Sequence, residues 1–143
     1  MATRNGSAEW KGDLQDGSGT LTVGEDVWSG NYSFASRFEE GEGTNPEELI
    51  AAAHAACFSM ALSADLAEHG HEIESVKTTA RVHLRNVDGA PTIARIELES
   101  EGSIPGIDQA HFEEHAQAAK ANCPVSRALA GVPEIEVTAR LIA

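Results

Sequence analysis

The sequence predicts an α+β fold, with antiparallel sheets around a long buried central helix and a second, broken helix. Three observations carry this reading. Leu49 to Leu66 is an almost uninterrupted run of apolar and small residues between a capping signal and a stop signal. Alternating apolar and polar segments separated by turn residues lie on both sides of it. A later helical stretch, opened by Asp108, is interrupted at Cys123-Pro124. At 143 residues the chain has the length of one domain, 1–143. Such a chain buries roughly 68–70% of its unfolded surface and needs no disulfide staples.

The first 44 residues read as strand and turn. Ser7 to Gly12 precedes the turn signal Gln15-Asp16-Gly17-Ser18-Gly19, and Thr20-Leu21-Thr22-Val23 is a short β-rich run. Asn31 to Phe38 alternates, with Tyr32, Phe34 and Ser36 on one side and Ser33, Ala35 and Arg37 on the other. That pattern places Arg37 near the end of an expected strand. Glu39 to Gly43 is an acidic loop.

The central helix follows. Asn45 is a good N-cap, Pro46 suits the first helical position, and Glu47 and Glu48 complement the positive helix end. Asn45 to Glu48 also has capping-box spacing. Gly70 supplies the stop, giving about 24 residues or roughly 36 Å of helix. A helix so apolar all round must be covered, by a sheet or by another chain. Val76 to Val87 and Thr92 to Ser100 form a hairpin about Asp88-Gly89. Asp108 caps a helix running through Ala121; Cys123-Pro124 opens a third, short one over Val125 to Ala130. Pro133 to Ile142 alternates as the last strand.

Charge excludes some functions. Lys+Arg total 10 against 23 Asp+Glu, a formal net charge of −13. Nucleic acid and anionic membrane surfaces both require a basic face, so neither is an expected partner. No 18 consecutive apolar residues occur and the N-terminal residues lack the apolar core of a signal peptide. A cytoplasmic protein with reduced thiols is the expectation.

The two cysteines, Cys57 and Cys123, are too far apart in sequence for a CxxC site. Cys57 falls within the apolar helix, where cysteine is usually a small hydrophobe. Cys123 falls at a helix cap, where backbone N–H groups and the helix dipole lower a thiol pKa. Two such cysteines in an otherwise cysteine-free chain suggest a dithiol couple.

Gly43 to Ser63, GTNPEELIAAAHAACFSMALS, and Asn122 to Leu129, NCPVSRAL, resemble the OsmC/Ohr family of thiol-dependent hydroperoxide reductases. The CPVS and AAHAACFSMAL forms and the upstream SRFE, Ser36 to Glu39, are similar to the OsmC branch. Ala8 to Asp13 and Glu101 to Asp108 also fit, so the resemblance runs along nearly the whole chain. It implies an intertwined homodimer with sites at the subunit interface. It implies Cys57 as peroxidatic cysteine, Cys123 as resolving cysteine, Arg37 as active-site arginine and Glu47 as that arginine's partner. The implied substrates are organic hydroperoxides and, more weakly, hydrogen peroxide. The implied reductant is an external dithiol of the lipoyl or small-molecule type; no resident cofactor or metal is expected.

The chemistry is consistent with the resemblance. A free cysteine is only a few per cent thiolate near neutrality, burial raises its pKa, and Cys57 is about three turns from the helix start. A cation must offset the burial, and Arg37 is the candidate; it also suits the departing alkoxide. Glu47 lies ten residues before Cys57, about 15 Å along a helix. Either a partner chain's glutamate completes the site or Arg37 bridges the gap. Phe34, Phe38, Ile50 and Met60 are candidates for lining an organic-substrate pocket. His111-Phe112-Glu113-Glu114-His115 matches a zinc-peptidase pattern, but a solvated helix face is the expected reading. His54, one turn before Cys57, is expected as a packed core histidine, and His69-Gly70-His71 as a helix terminus. The rival function is a non-catalytic stress protein with structural thiols, or with Cys57, Cys123 and His54 holding a soft metal.

Overall fold

The computed structural model describes residues 2–142. It divides into two compact units, Met1–Leu49 and Ile50–Ala143.

In the first unit β1 (Gly6–Lys11), β2 (Ser18–Val23) and β3 (Trp28–Tyr32) form an antiparallel sheet in the order β1-β2-β3. Gly19 pairs with both Trp10 and Tyr32, whose rings meet with centroids 5.3 Å apart. A Cβ at Gly19 would stand 2.4 Å from Tyr32 and 2.7 Å from Trp10. Only glycine leaves room for the aromatic pair to close over the strand.

The expected strand through Phe38 is a correction. β3 stops at Tyr32, and Phe34–Phe38 is a short helix, α1. Ser33 adopts an extended conformation and accepts from Ser36 N–H, while the Ser36 hydroxyl oxygen accepts from Ser33 N–H. This reciprocal capping box overrides the local alternation. Ser36 Oγ also donates to the Thr44 carbonyl at 2.7 Å, and Asn45 Nδ2 donates to the Ser36 carbonyl at 2.9 Å. Arg37 therefore lies on a helix anchored to the start of the next one.

That next helix, α2 (Pro46–Glu68), starts and stops as expected. Asn45 Oδ1 accepts from Glu48 N–H, but the Glu48 carboxylate accepts from Thr44 Oγ1, not from the cap backbone. Gly70 follows with φ +84, a left-handed turn that ends the helix. Burial is one-sided. His54, Phe58, Leu62 and Leu66 form a buried stripe at every fourth residue, while Ala52, Ala53, Ala56, Met60, Ala64 and Ala67 are exposed. This chain thus covers one side of α2 and leaves the opposite, alanine-rich side open. By length and composition α2 could also cross a bilayer: its most apolar 18-residue window has mean hydropathy 1.5.

The second unit continues with β4 (Ser75–Val87) and β5 (Ala90–Ser103), an antiparallel pair joined through Asp88 (φ 51) and Gly89 (φ 83). Both turn residues are left-handed, as the tight hairpin requires. Then come α3 (Gln109–Asn122), α4 (Pro124–Ala128) and β6 (Glu134–Leu141). β6 pairs with β5 in parallel, so the all-antiparallel expectation is corrected for this strand. α3 and α4 supply the crossover that a parallel neighbour needs. Phe58, Leu62 and Leu66 pack with Ile96, Leu98, Ile104, Phe112 and Ala116 in one core that also contains Cys123. Each large apolar side chain buried there contributes about 1.5–3 kcal/mol.

Gly102 of β5 faces Phe112 of α3 across this core. A Cβ at Gly102 would stand 2.5 Å from Phe112 Cζ, and Phe112 is wholly buried with nowhere to retreat. Gly102→Ala is expected to cost about 1–3 kcal/mol by overpacking. A urea midpoint equal to the parent's, at unchanged slope, would contradict this.

Candidate functional site

The second unit brings the two cysteines together. Cys57 is half-buried on α2, and Cys123 is buried at the junction of α3 and α4. Both are free thiols, and their sulfurs share a hydrogen bond 3.1 Å long. Cys123 ends one helix and begins another: its N–H donates to the Ala119 carbonyl at 2.8 Å, and its carbonyl accepts from Arg127 N–H at 3.0 Å. Pro124 follows at the first position of α4, as the sequence signalled. A disulfide has an S–S length of about 2.0 Å, so closing one here requires a movement of only about 1 Å.

The two thiols are electrostatically unequal. Burial pushes the Cys57 thiol up; its hydrogen bond to Cys123 and repulsion from that sulfur push the same way, and the Val125 N–H opposes them. Burial also acts to raise Cys123, but the Ser126 N–H, Cys57, the Ser126 hydroxyl and the Val125 N–H together bring it below the ordinary thiol value. These N–H groups belong to the first turn of α4, which carries partial positive charge. The Ser126 hydroxyl is also 2.6 Å from His54 Nε2. When Ser126 Oγ–H donates to the Cys123 sulfur, His54 Nε2–H must donate to Ser126 Oγ. A relay from His54 through Ser126 thus favours negative charge on Cys123. Burial lowers the His54 pKa, which keeps the ring neutral, as a packed core histidine should be.

The first unit holds the expected arginine and glutamate as a pair. Arg37 Nε donates to Glu47 Oε1 at 2.8 Å and Arg37 Nη2 donates to Oε2 at 3.1 Å. The fork is bidentate and Glu47 is buried. Arg37 thus finds its carboxylate within its own chain, and no partner glutamate is required for the pairing. Its guanidinium also stands 5.3 Å from the Phe38 ring centroid. Arg37, Phe34 and Phe38 line a cavity of about 420 Å³ together with Trp10, Leu14 and Tyr32. In the second unit, Cys57 and Met60 line a separate cavity of about 440 Å³ with Ala61 and Ala64. Three of the four apolar candidates therefore border cavities holding a candidate reactive residue; Ile50 lines neither of these two.

The zinc-peptidase pattern does not act as a unit. His111 turns to its helix cap, Asp108, at 2.7 Å, whereas His115 is half-buried and reaches Asp65 on α2. The expected solvated face is thus correct for His111 and wrong for His115. Among the described residues, the trio with metal-ligand spacing is Asp65, His69 and His115, which includes neither sulfur nor His54. The sequence reading missed Ser126; its place three residues after a helix-capping cysteine was the available signal.

Three comparisons bear on this arrangement. The family model described as an OsmC-like protein matches residues 39–138, a span containing Glu47, Cys57 and Cys123 and beginning just after Arg37. The chain is 50% identical over 127 residues to the peroxiredoxin OsmC of Escherichia coli strain K12, covering 88% of this chain and 89% of that protein. It is 32% identical over 101 residues to an organic hydroperoxide resistance protein of Xanthomonas axonopodis pv. citri, covering 68% of each. Among solved structures, the organic hydroperoxide resistance protein OhrB of Bacillus subtilis superposes with a TM-score of 0.69 at 27% identity, over 96% of this chain and 97% of that one.

Proposed function

The chain belongs to the OsmC-like family, and from that membership we propose that it is a thiol-dependent peroxidase reducing organic hydroperoxides to alcohols. The observation that carries this reading is the 3.1 Å approach of two free thiols from residues far apart in the chain. The Cys57 thiolate attacks the terminal peroxide oxygen. The O–O bond breaks, the alkoxide leaves and takes a proton as the alcohol, and Cys57 is left as a sulfenic acid. The Cys123 thiolate then attacks that sulfur, an S–S bond forms, and hydroxide leaves as water. An external dithiol returns two electrons and restores both thiols. The lowered Cys123 pKa supports its role as the attacking group in the second step.

The first step needs help that Cys57 lacks among its own near neighbours, since burial raises its pKa. Arg37, oriented by Glu47, is the group assigned to hold it as thiolate and to meet the alkoxide. A homodimer would let the Arg37–Glu47 pair of one chain act on Cys57 of the other, and the ten-residue helical offset from Glu47 to Cys57, about 15 Å, favours that arrangement. The open alanine-rich side of α2, with Met60 75% exposed, supports an interface between two copies. The proposed setting is the cytoplasm, where external dithiols are available.

One equivalent of cumene hydroperoxide added to reduced protein is expected to yield a single product. Mass spectrometry of the digest should show the Cys57 and Cys123 peptides joined, with a stoichiometric amount of alcohol formed. Unreacted peroxide and two free thiols after the same treatment would overturn the reading.

A further inference from the structure

We propose that Asp65, His69 and His115 form a binding site for a divalent transition-metal cation of the zinc type, independent of the two thiols and of the peroxidase reading. Asp65 and His69 lie one turn apart near the end of α2, and His115 comes from α3. One ligand atom from each lies within 4.8 Å of the others. His69 Nδ1 is 2.8 Å from the Asp65 backbone carbonyl oxygen. A carbonyl only accepts, so Nδ1 carries the proton and the lone pair remains on Nε2. His115 Nδ1 is 2.5 Å from Asp65 Oδ2, so an imidazole nitrogen and a carboxylate oxygen converge on one point, where a cation can take the place of the shared proton. His69 holds its other nitrogen against a backbone carbonyl, as imidazoles that bind metals commonly do.

The rest of the site agrees. The His69 and His115 rings meet edge-on with centroids 4.8 Å apart, and the His71 ring stands 5.7 Å from that of His115. A third imidazole is therefore at hand on the loop after α2. The Asp65 and His115 side chains are 17% and 14% exposed while His69 is 59% exposed, which gives a sheltered floor and an open entrance. Nitrogen donors with one carboxylate suit zinc and its neighbours, whereas calcium and magnesium prefer oxygen alone. The bound ion would clamp α2 to α3. Asp65 borders the same cavity as Cys57 but lies eight residues along α2, about 12 Å, so the ion would not touch the sulfur.

The test uses zinc ion as the probe and the full chain carrying Cys57→Ser and Cys123→Ser, so that no thiol can hold the metal. After chelator treatment this protein is expected to take one zinc from a chromophoric competitor, with a Kd at or below about 10 μM, and to melt at higher temperature when loaded. Adding His115→Ala is expected to weaken binding at least about 30-fold. His69→Ala, an exposed substitution that leaves the core untouched, should do the same, and each variant's thermal transition verifies its fold. In the otherwise native chain His69→Ala should keep full hydroperoxide turnover. Absence of zinc binding by the double-serine chain would overturn the site, as would parent affinity in either histidine variant.

Discussion

Cys57→Ser is expected to reduce hydroperoxide turnover to the uncatalysed background, a loss of more than about 10³-fold. A serine hydroxyl in the same place stays protonated and does not attack the peroxide oxygen. Cys123→Ser is expected to behave differently. It should still reduce the first equivalent of hydroperoxide, form no internal disulfide, and accumulate one oxygen and then two on Cys57 as peroxide is raised. Peroxide consumption and intact mass, read together on both variants, distinguish the roles. The contrast matters because the chain favours negative charge on Cys123, through the α4 N-terminus and Ser126, more than on Cys57. Retention of the first turnover in Cys57→Ser, with its loss in Cys123→Ser, would reverse the assignment.

Arg37→Ala is expected to lower kcat/KM about 10²–10³-fold, the usual effect of removing one preorganised electrostatic group from a site where charge develops. Arg37→Lys should recover little, because lysine cannot make the bidentate fork that Arg37 makes with Glu47. The pH dependence carries the more specific signature. A cation beside a thiol favours the thiolate, so its removal moves the Cys57 pKa upward, in the direction burial already drives it. The alkaline rise of Cys57 alkylation, and the corresponding limb of the rate profile, should therefore shift to higher pH in Arg37→Ala. A merely structural arginine would alter stability without moving that limb. Parent kcat/KM with an unmoved profile would remove Arg37 from the mechanism.

Much of the fold was legible because its signals are local. Asn45-Pro46 and Gly70 delimit α2, Asp88-Gly89 sets the hairpin, and Cys123-Pro124 separates α3 from α4. Each acts through the dihedral preferences or hydrogen bonds of a few adjacent residues. The failure at Phe34–Phe38 has a local cause as well: a Ser33–Ser36 capping box outweighed an alternation that fitted a strand equally well. The four candidate reactive residues were named from motif resemblance, and the chemistry proposed for them from residue type.

What the sequence determined by itself is which residue types are available to react: two thiols, a guanidinium and a carboxylate at the start of the central helix. Tertiary structure alone decided which of these meet. It set the sulfurs 3.1 Å apart, closed the Arg37–Glu47 fork, ran β6 parallel to β5, and drew His115 away from His111 toward Asp65 and His69. The physical reason is range. Capping and turn formation are decided within a few residues, whereas packing one helix against another brings together side chains whose separation in sequence carries no information about their distance in space.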